Sequence, residues 1–105
     1  MSGVSTHILD TANGRPAAGI KVLLFQSNEV IGSGVTDRDG RLQALLPERA
    51  RLKPGAYRIV FEIADYFPDG FYAEVNVTFL VRDEMAHYHV PLLISPFGYT
   101  TYRGS

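Results

Sequence analysis

Cysteine and tryptophan are both absent from the 105 residues. Without cysteine there can be no disulfide, no thiolate metal site and no cysteine nucleophile, and the redox compartment is left open. An excess of one charge is missing too: 10 Lys and Arg stand against 11 Asp and Glu, for a net charge of -1. That balance offers no electrostatic footprint for nucleic acid or an acidic membrane, so neither is expected as a partner and charge-based recognition must be local. No apolar run approaches the roughly 18 residues that span a bilayer. The opening "MSGVSTHILD" has neither the basic n-region nor the long apolar h-region of a signal peptide. The expectation is a cytoplasmic chain.

What is present fits one globular domain over residues 1–105 with a modest core. A chain of this size keeps much apolar surface exposed unless it associates, which makes a homo-oligomer an early expectation. Turn signals recur at short intervals: "ANGRP" (12–16), "SNE" (27–29), "DRDG" (37–40), "KPG" (53–55), "FPDG" (67–70) and "SPFG" (95–98). Between them lie short runs rich in β-branched and aromatic residues, the pattern of a β-sandwich of about seven or eight strands. The clearest strand is "EVNVTFLV", where Val75, Val77, Phe79 and Val81 alternate with Glu74, Asn76, Thr78 and Leu80. "IKVLLFQ" (20–26) and "AYRIVFE" (56–62) read as strands as well. Asp39-Gly40 suggests a hairpin turn between "IGSGVT" and "RLQALL", and "EIADYF" (62–67), stopped by Pro68, is the one short helix expected.

All three histidines sit on the less apolar side of their strands. In "HYHVPLLIS" the residues Tyr88, Val90, Leu92 and Ile94 share a face that should be the core, leaving His87, His89, Pro91 and Leu93 opposite. In "VSTHILD" the same alternation puts Ser5, His7 and Leu9 away from Val4, Thr6 and Ile8. Ordinary surface histidines are one reading. Another is an interface cleft: Pro91 and Leu93 beside His89 make a mixed patch that a second subunit could cover, and imidazole exchanges protons near neutral pH. A third is a metal site, because His87 and His89 at i and i+2 point the same way and His7 could supply a third nitrogen; no thiolate or carboxylate second shell supports it. Arg41, directly after the Asp39-Gly40 turn, is either a solvated strand-end arginine or a planar donor fork for an anionic or imide-like ligand.

The last run, "YTTYRGS", is strand-forming by propensity and comes after the "SPFG" turn. Pairing back on the strand that carries His89 would bring Tyr102 to Ser105 near His87 and His89, with a phenol, a guanidinium, a hydroxyl and a carboxylate in one place.

Taken together, "STHILDTANGRPAAGIKVLLF", "TDRDGR", "HYHVPLLISPFGYTTYRGS" and the terminal "YRGS" resemble the 5-hydroxyisourate hydrolases, the transthyretin-like enzymes of urate breakdown. The resemblance covers nearly the whole chain, and "YRGS" is its most specific element because transthyretin, the carrier on the same scaffold, lacks it. It implies a prealbumin-type sandwich assembled as a homotetramer, a dimer of dimers with active sites at the dimer–dimer interface. The substrate implied is the small molecule 5-hydroxyisourate, hydrolysed at its ring amide to 2-oxo-4-hydroxy-4-carboxy-5-ureidoimidazoline with no metal and no cofactor. The site residues implied are His7, Arg41, His89 and the terminal segment: Ser105 with the catalytic set, and Tyr102 with His7 and Arg41 in binding substrate. Ala73 departs from the proline usual in the family, and the segment before it is short. The rival readings are a non-catalytic small-ligand carrier and a structural sandwich module.

Overall fold

Period-two alternation lays out most of the strands. The computed structural model describes residues 3–105 and contains, in chain order, β1 (Gly3–Asp10), β2 (Arg15–Pro16), β3 (Lys21–Gln26), β4 (Glu29–Val35), β5 (Arg41–Leu42), β6 (Gly55–Glu62), β7 (Glu74–Val81), β8 (His87–Ser95) and β9 (Gly98–Thr101). One sheet runs β2-β1-β8-β9, with β5 also paired to β1; the other runs β4-β3-β6-β7. β1 and β8 pair in parallel from Gly3 beside His87 to Asp10 beside Ile94. The other pairings are antiparallel.

The inner faces are those the alternation assigns. Val4, Ile8, Tyr88, Val90, Leu92 and Ile94 bury from the first sheet, and Val22, Leu24, Ile59, Phe61, Val75 and Val81 from the second. Removing such side chains from water is the main stabilising term, at roughly 1.5–3 kcal/mol for each one fully buried. Leu45, Leu46 and Leu52, from the long connection after β5, complete the core.

The all-β sandwich is as expected, and two of its nine strands among the described residues have two residues each. Two local expectations are corrected. Residues 62–67 do not form a helix: Glu62 ends β6, and the chain after it makes one turn, closed by the Phe67 N–H on the Ile63 carbonyl at 3.0 Å. With Pro68 next there is no room to propagate, and an isolated turn does not repay the cost of helix nucleation. The turn is held by the Ala73 carbonyl, which accepts from Ile63 and Ala64 N–H (3.2 and 3.0 Å). That contact uses backbone alone, so alanine serves there. Nor is the 37–40 turn a hairpin. β4 before it belongs to one sheet and β5 after it to the other, so the turn is a corner between sheets.

Asp10 ties this end of the sandwich together. Its buried carboxylate accepts the N–H groups of Ala12 and Asn13 (both 3.0 Å), Asn13 Nδ2 (2.7 Å) and the Tyr66 hydroxyl (2.8 Å). Burial works against the charged form, yet the bonds from Asn13, Tyr66 and Ala12 outweigh it and hold the carboxyl below the usual range. Asp10→Ala should therefore cost about 2–3 kcal/mol in urea unfolding, because it removes the charged acceptor that four hydrogen bonds share. A carboxyl with a lowered native pKa stabilises above its unfolded value and loses that contribution as pH falls through the native one. The deficit of the variant against wild type should accordingly shrink below about pH 4.

Candidate functional site

The parallel register of β1 and β8 sets Ser5 beside His89 and Gly3 beside His87 on the outer face of the sheet. The Ser5 hydroxyl, nearly buried, lies 2.8 Å from His89 Nδ1 and 2.8 Å from His87 Nε2. Among the described residues no hydrogen bond engages His89 Nε2.

Arg41 arrives from the other edge of β1. β5 pairs His7 with Arg41, and the corner before it is fixed by Asp37, whose Oδ1 accepts the Asp39 and Arg41 N–H groups at 2.9 and 3.0 Å. The bond from Arg41 N–H is the leading cause that keeps the Asp37 carboxyl below its usual range. Gly40 has φ 74°, and a Cβ there would lie 2.4 Å from the Ile8 carbonyl. Only glycine meets both demands without displacing Arg41. His7 Nε2 lies 2.9 Å from the Asp39 carbonyl. A carbonyl can only accept, so that nitrogen carries the proton and His7 leaves Nδ1 as an acceptor.

The tail does pair back. β9 runs antiparallel to β8 from Gly98 to Thr101, and further on the Gly104 N–H donates to the His89 carbonyl at 2.8 Å. A Cβ on Gly104 would sit 2.5 Å from His89 Cδ2 and 3.0 Å from Pro91 Cγ, so the imidazole is packed directly on glycine backbone. Ser105 then joins Ser5, Thr6, Arg41, Gln43, His87 and His89 around a pocket of about 330 Å³.

Of the residues singled out in the sequence, His89, Arg41 and Ser105 thus line one pocket. His7 stands beside it, across from Arg41, with its ring on the 37–40 corner. Tyr102 lines a different groove, with Val77, Phe79, Leu80, Tyr88 and Val90. Arg103 also turns that way, its guanidinium 4.6 Å from the centre of the Tyr88 ring. Ser5 and Gln43 carry no local signal that marks them; Ser5 shares its strand face with His7, but the bond that matters spans 84 positions of sequence. Among the described residues no three His, Asp or Glu side chains converge to hold a metal ion. A hydroxyl already sits between the two β8 histidines.

His89 is shifted below the ordinary imidazole range, first by burial and then by the like charges of His87, His7 and Arg41. A neutral imidazole with a free Nε2, beside a guanidinium, is equipped to take a proton from water while the cation faces charge developing on a bound carbonyl.

Residues 4–104 match the model of the HIUase/Transthyretin family. The chain is 46% identical over 110 residues to the 5-hydroxyisourate hydrolase of Salmonella dublin, covering 97% of this chain and 80% of that one. Its structure resembles that of Klebsiella pneumoniae 5-hydroxyisourate hydrolase, with a TM-score of 0.90 and 35% identity over 100% of both chains. It also resembles transthyretin from Sparus aurata, with a TM-score of 0.85 and 30% identity over 96% of this chain and 95% of that one.

Because burial is the first cause of the His89 shift, uncovering the ring should reverse it. In ring-proton NMR titrations wild-type His89 should titrate below about 6.5, and deletion of Gly104 and Ser105 should move its midpoint up toward that value. A midpoint indifferent to the deletion would mean that the tail does not shield the ring.

Proposed function

This chain belongs to the HIUase/Transthyretin family, and from that premise we propose that it hydrolyses 5-hydroxyisourate to 2-oxo-4-hydroxy-4-carboxy-5-ureidoimidazoline. The observation that carries the reading is the meeting of a neutral, half-buried His89 with Arg41 and Ser105 in one polar pocket. His89 Nε2 removes a proton from water, and the water oxygen attacks the ring carbonyl. Arg41 faces the carbonyl oxygen as it becomes negative, and its planar fork also suits an imide-like edge of the ring. The C–N bond then breaks, and the departing nitrogen takes the proton held at His89. His7, with Nδ1 as an acceptor, orients the substrate from beside Arg41, and Ser105 closes the pocket. Water attacks directly, since Ser105 and Ser5 lie in no nucleophile-elbow pattern. We assign no metal or cofactor to the reaction. Tyr102, which lines the separate groove, receives no contact with substrate in this scheme.

The enzyme works as a cytoplasmic homotetramer, a dimer of dimers with the sites at the dimer–dimer interface. Support comes from the outer face of the first sheet, where half-buried Leu9 and Leu93 adjoin the histidines and a facing copy would exclude water from the reaction. A carrier of apolar ligands is the weaker reading, since such a ligand would leave the imidazoles, Arg41 and Gln43 poorly paired.

The test is the ultraviolet decay of freshly generated 5-hydroxyisourate, corrected for spontaneous breakdown. Wild type should accelerate it, and a folded tetramer without effect would sink the reading. His89→Ala should lose about 100- to 10,000-fold in turnover. Arg41→Lys keeps the charge but not the fork, and should fall well below wild type. The base must be neutral and its pKa is lowered, so kcat/KM should hold through about pH 6.5 and decline only as pH drops through the His89 value.

A further inference from the structure

The Ser5 hydroxyl lies 2.8 Å from a ring nitrogen of each β8 histidine, and the proposed reaction gives neither Ser5 nor His87 a task. A hydroxyl has one proton, so it donates to one imidazole and accepts from the other. The tautomers of His87 and His89 are therefore linked. If His89 is to offer an unprotonated Nε2 to the pocket, its proton is on Nδ1 and points at Ser5 Oγ. The Ser5 proton then points at His87 Nε2, and the remaining His87 proton is on Nδ1. One continuous chain results: His89 Nδ1–H to Ser5 Oγ–H to His87 Nε2.

We propose that Ser5 is a positioning residue that sets the tautomer of His89 and passes its proton to His87, making the three residues a relay along the wall of the pocket. This rests on the hydrolase reading of the same site. The steps balance. A water O–H breaks as a proton binds His89 Nε2; the His89 Nδ1–H breaks as that proton binds Ser5 Oγ; the former Ser5 O–H breaks as its proton binds His87 Nε2. His89 ends neutral, holding the Nε2–H that the departing ring nitrogen needs, and the positive charge rests on His87. The reverse shift, when the nitrogen is protonated, restores the start.

Placement favours this direction. In the single chain His87 is exposed and His89 half-buried, so a cation is better solvated at His87. Arg41 from β5 lines the pocket with His89 and opposes a charge there. Arg103 reaches the His87 carbonyl at 3.4 Å and its cation rests on Tyr88. The ring of His87 lies against Gly3, where a Cβ would come within 3.1 Å of Nδ1.

Two measurements decide it. Nitrogen-15 NMR of the imidazoles in the wild-type protein near neutral pH should show His89 as the Nδ1–H tautomer, and Ser5→Ala should raise the Nε2–H fraction. In the decay assay Ser5→Ala should lower kcat about 10- to 100-fold, part of what a general base contributes, with KM little changed and Ser5→Thr restoring most of the loss. His87→Ala, which breaks the far end, should show a loss that added imidazole repairs, and it serves if Ser5→Ala does not fold. Wild-type His89 found as Nε2–H, or both alanine variants at full kcat, would overturn the relay. A wild-type protein without hydrolase activity would defeat the reading of function instead, while the tautomer measurement still decides the linkage.

Discussion

The parallel pairing of β1 with β8 is the constraint on which the rest of the molecule depends. These strands come from opposite ends of the described chain, and all eight residues of β1 are in register with β8. The inner side of the pair supplies Val4, Ile8, Tyr88, Val90, Leu92 and Ile94 to the core, so the register is enforced by burial. A slip of one residue would carry that apolar set to the outside and the histidines inward. The outer side inherits the same precision: Ser5 meets His89 because Val4 and Ile8 have to be buried. β5, the corner before it and the 98–104 segment attach to the free edges of this pair and bring Arg41, Gly104 and Ser105 to it.

The site is cationic without being charged at its centre. Arg41 brings a positive charge beside His89, whose own burial makes a charge on its ring costly. That combination favours a base over a cation-binding or apolar-ligand site. The relatives make the same point from the fold: one scaffold with TM-scores of 0.90 and 0.85 carries both a hydrolase and transthyretin. The sandwich alone therefore does not decide the chemistry.

Local sequence signals mislead where the outcome depends on distant packing. "EIADYF" has helical composition, but its first residue completes β6 against Lys21 and Glu74, and Tyr66 is drawn to Asp10. Asp39-Gly40 has the chemistry of a hairpin, yet Ile8 bonds the Gly40 carbonyl and carries the chain to the other sheet. The tail is legible as a returning strand. Which of its side chains face His89 is set by the path between Thr101 and Gly104, and that path turns Tyr102 and Arg103 toward Tyr88.

By itself the sequence determined the faces. Alternation at period two is a local property of an extended backbone, and it sufficed to put His7, His87 and His89 off the core side and to mark β7 and β8 as strands. The returning strand in "YTTYRGS" was legible for the same reason, being a short contiguous run. Only the tertiary structure decided the partners. The hydroxyl beside His89 comes from 84 positions away, and the carbonyl that fixes the His7 proton from 32. Such registers are set by the summed packing of whole strands, and no single stretch of chain encodes them.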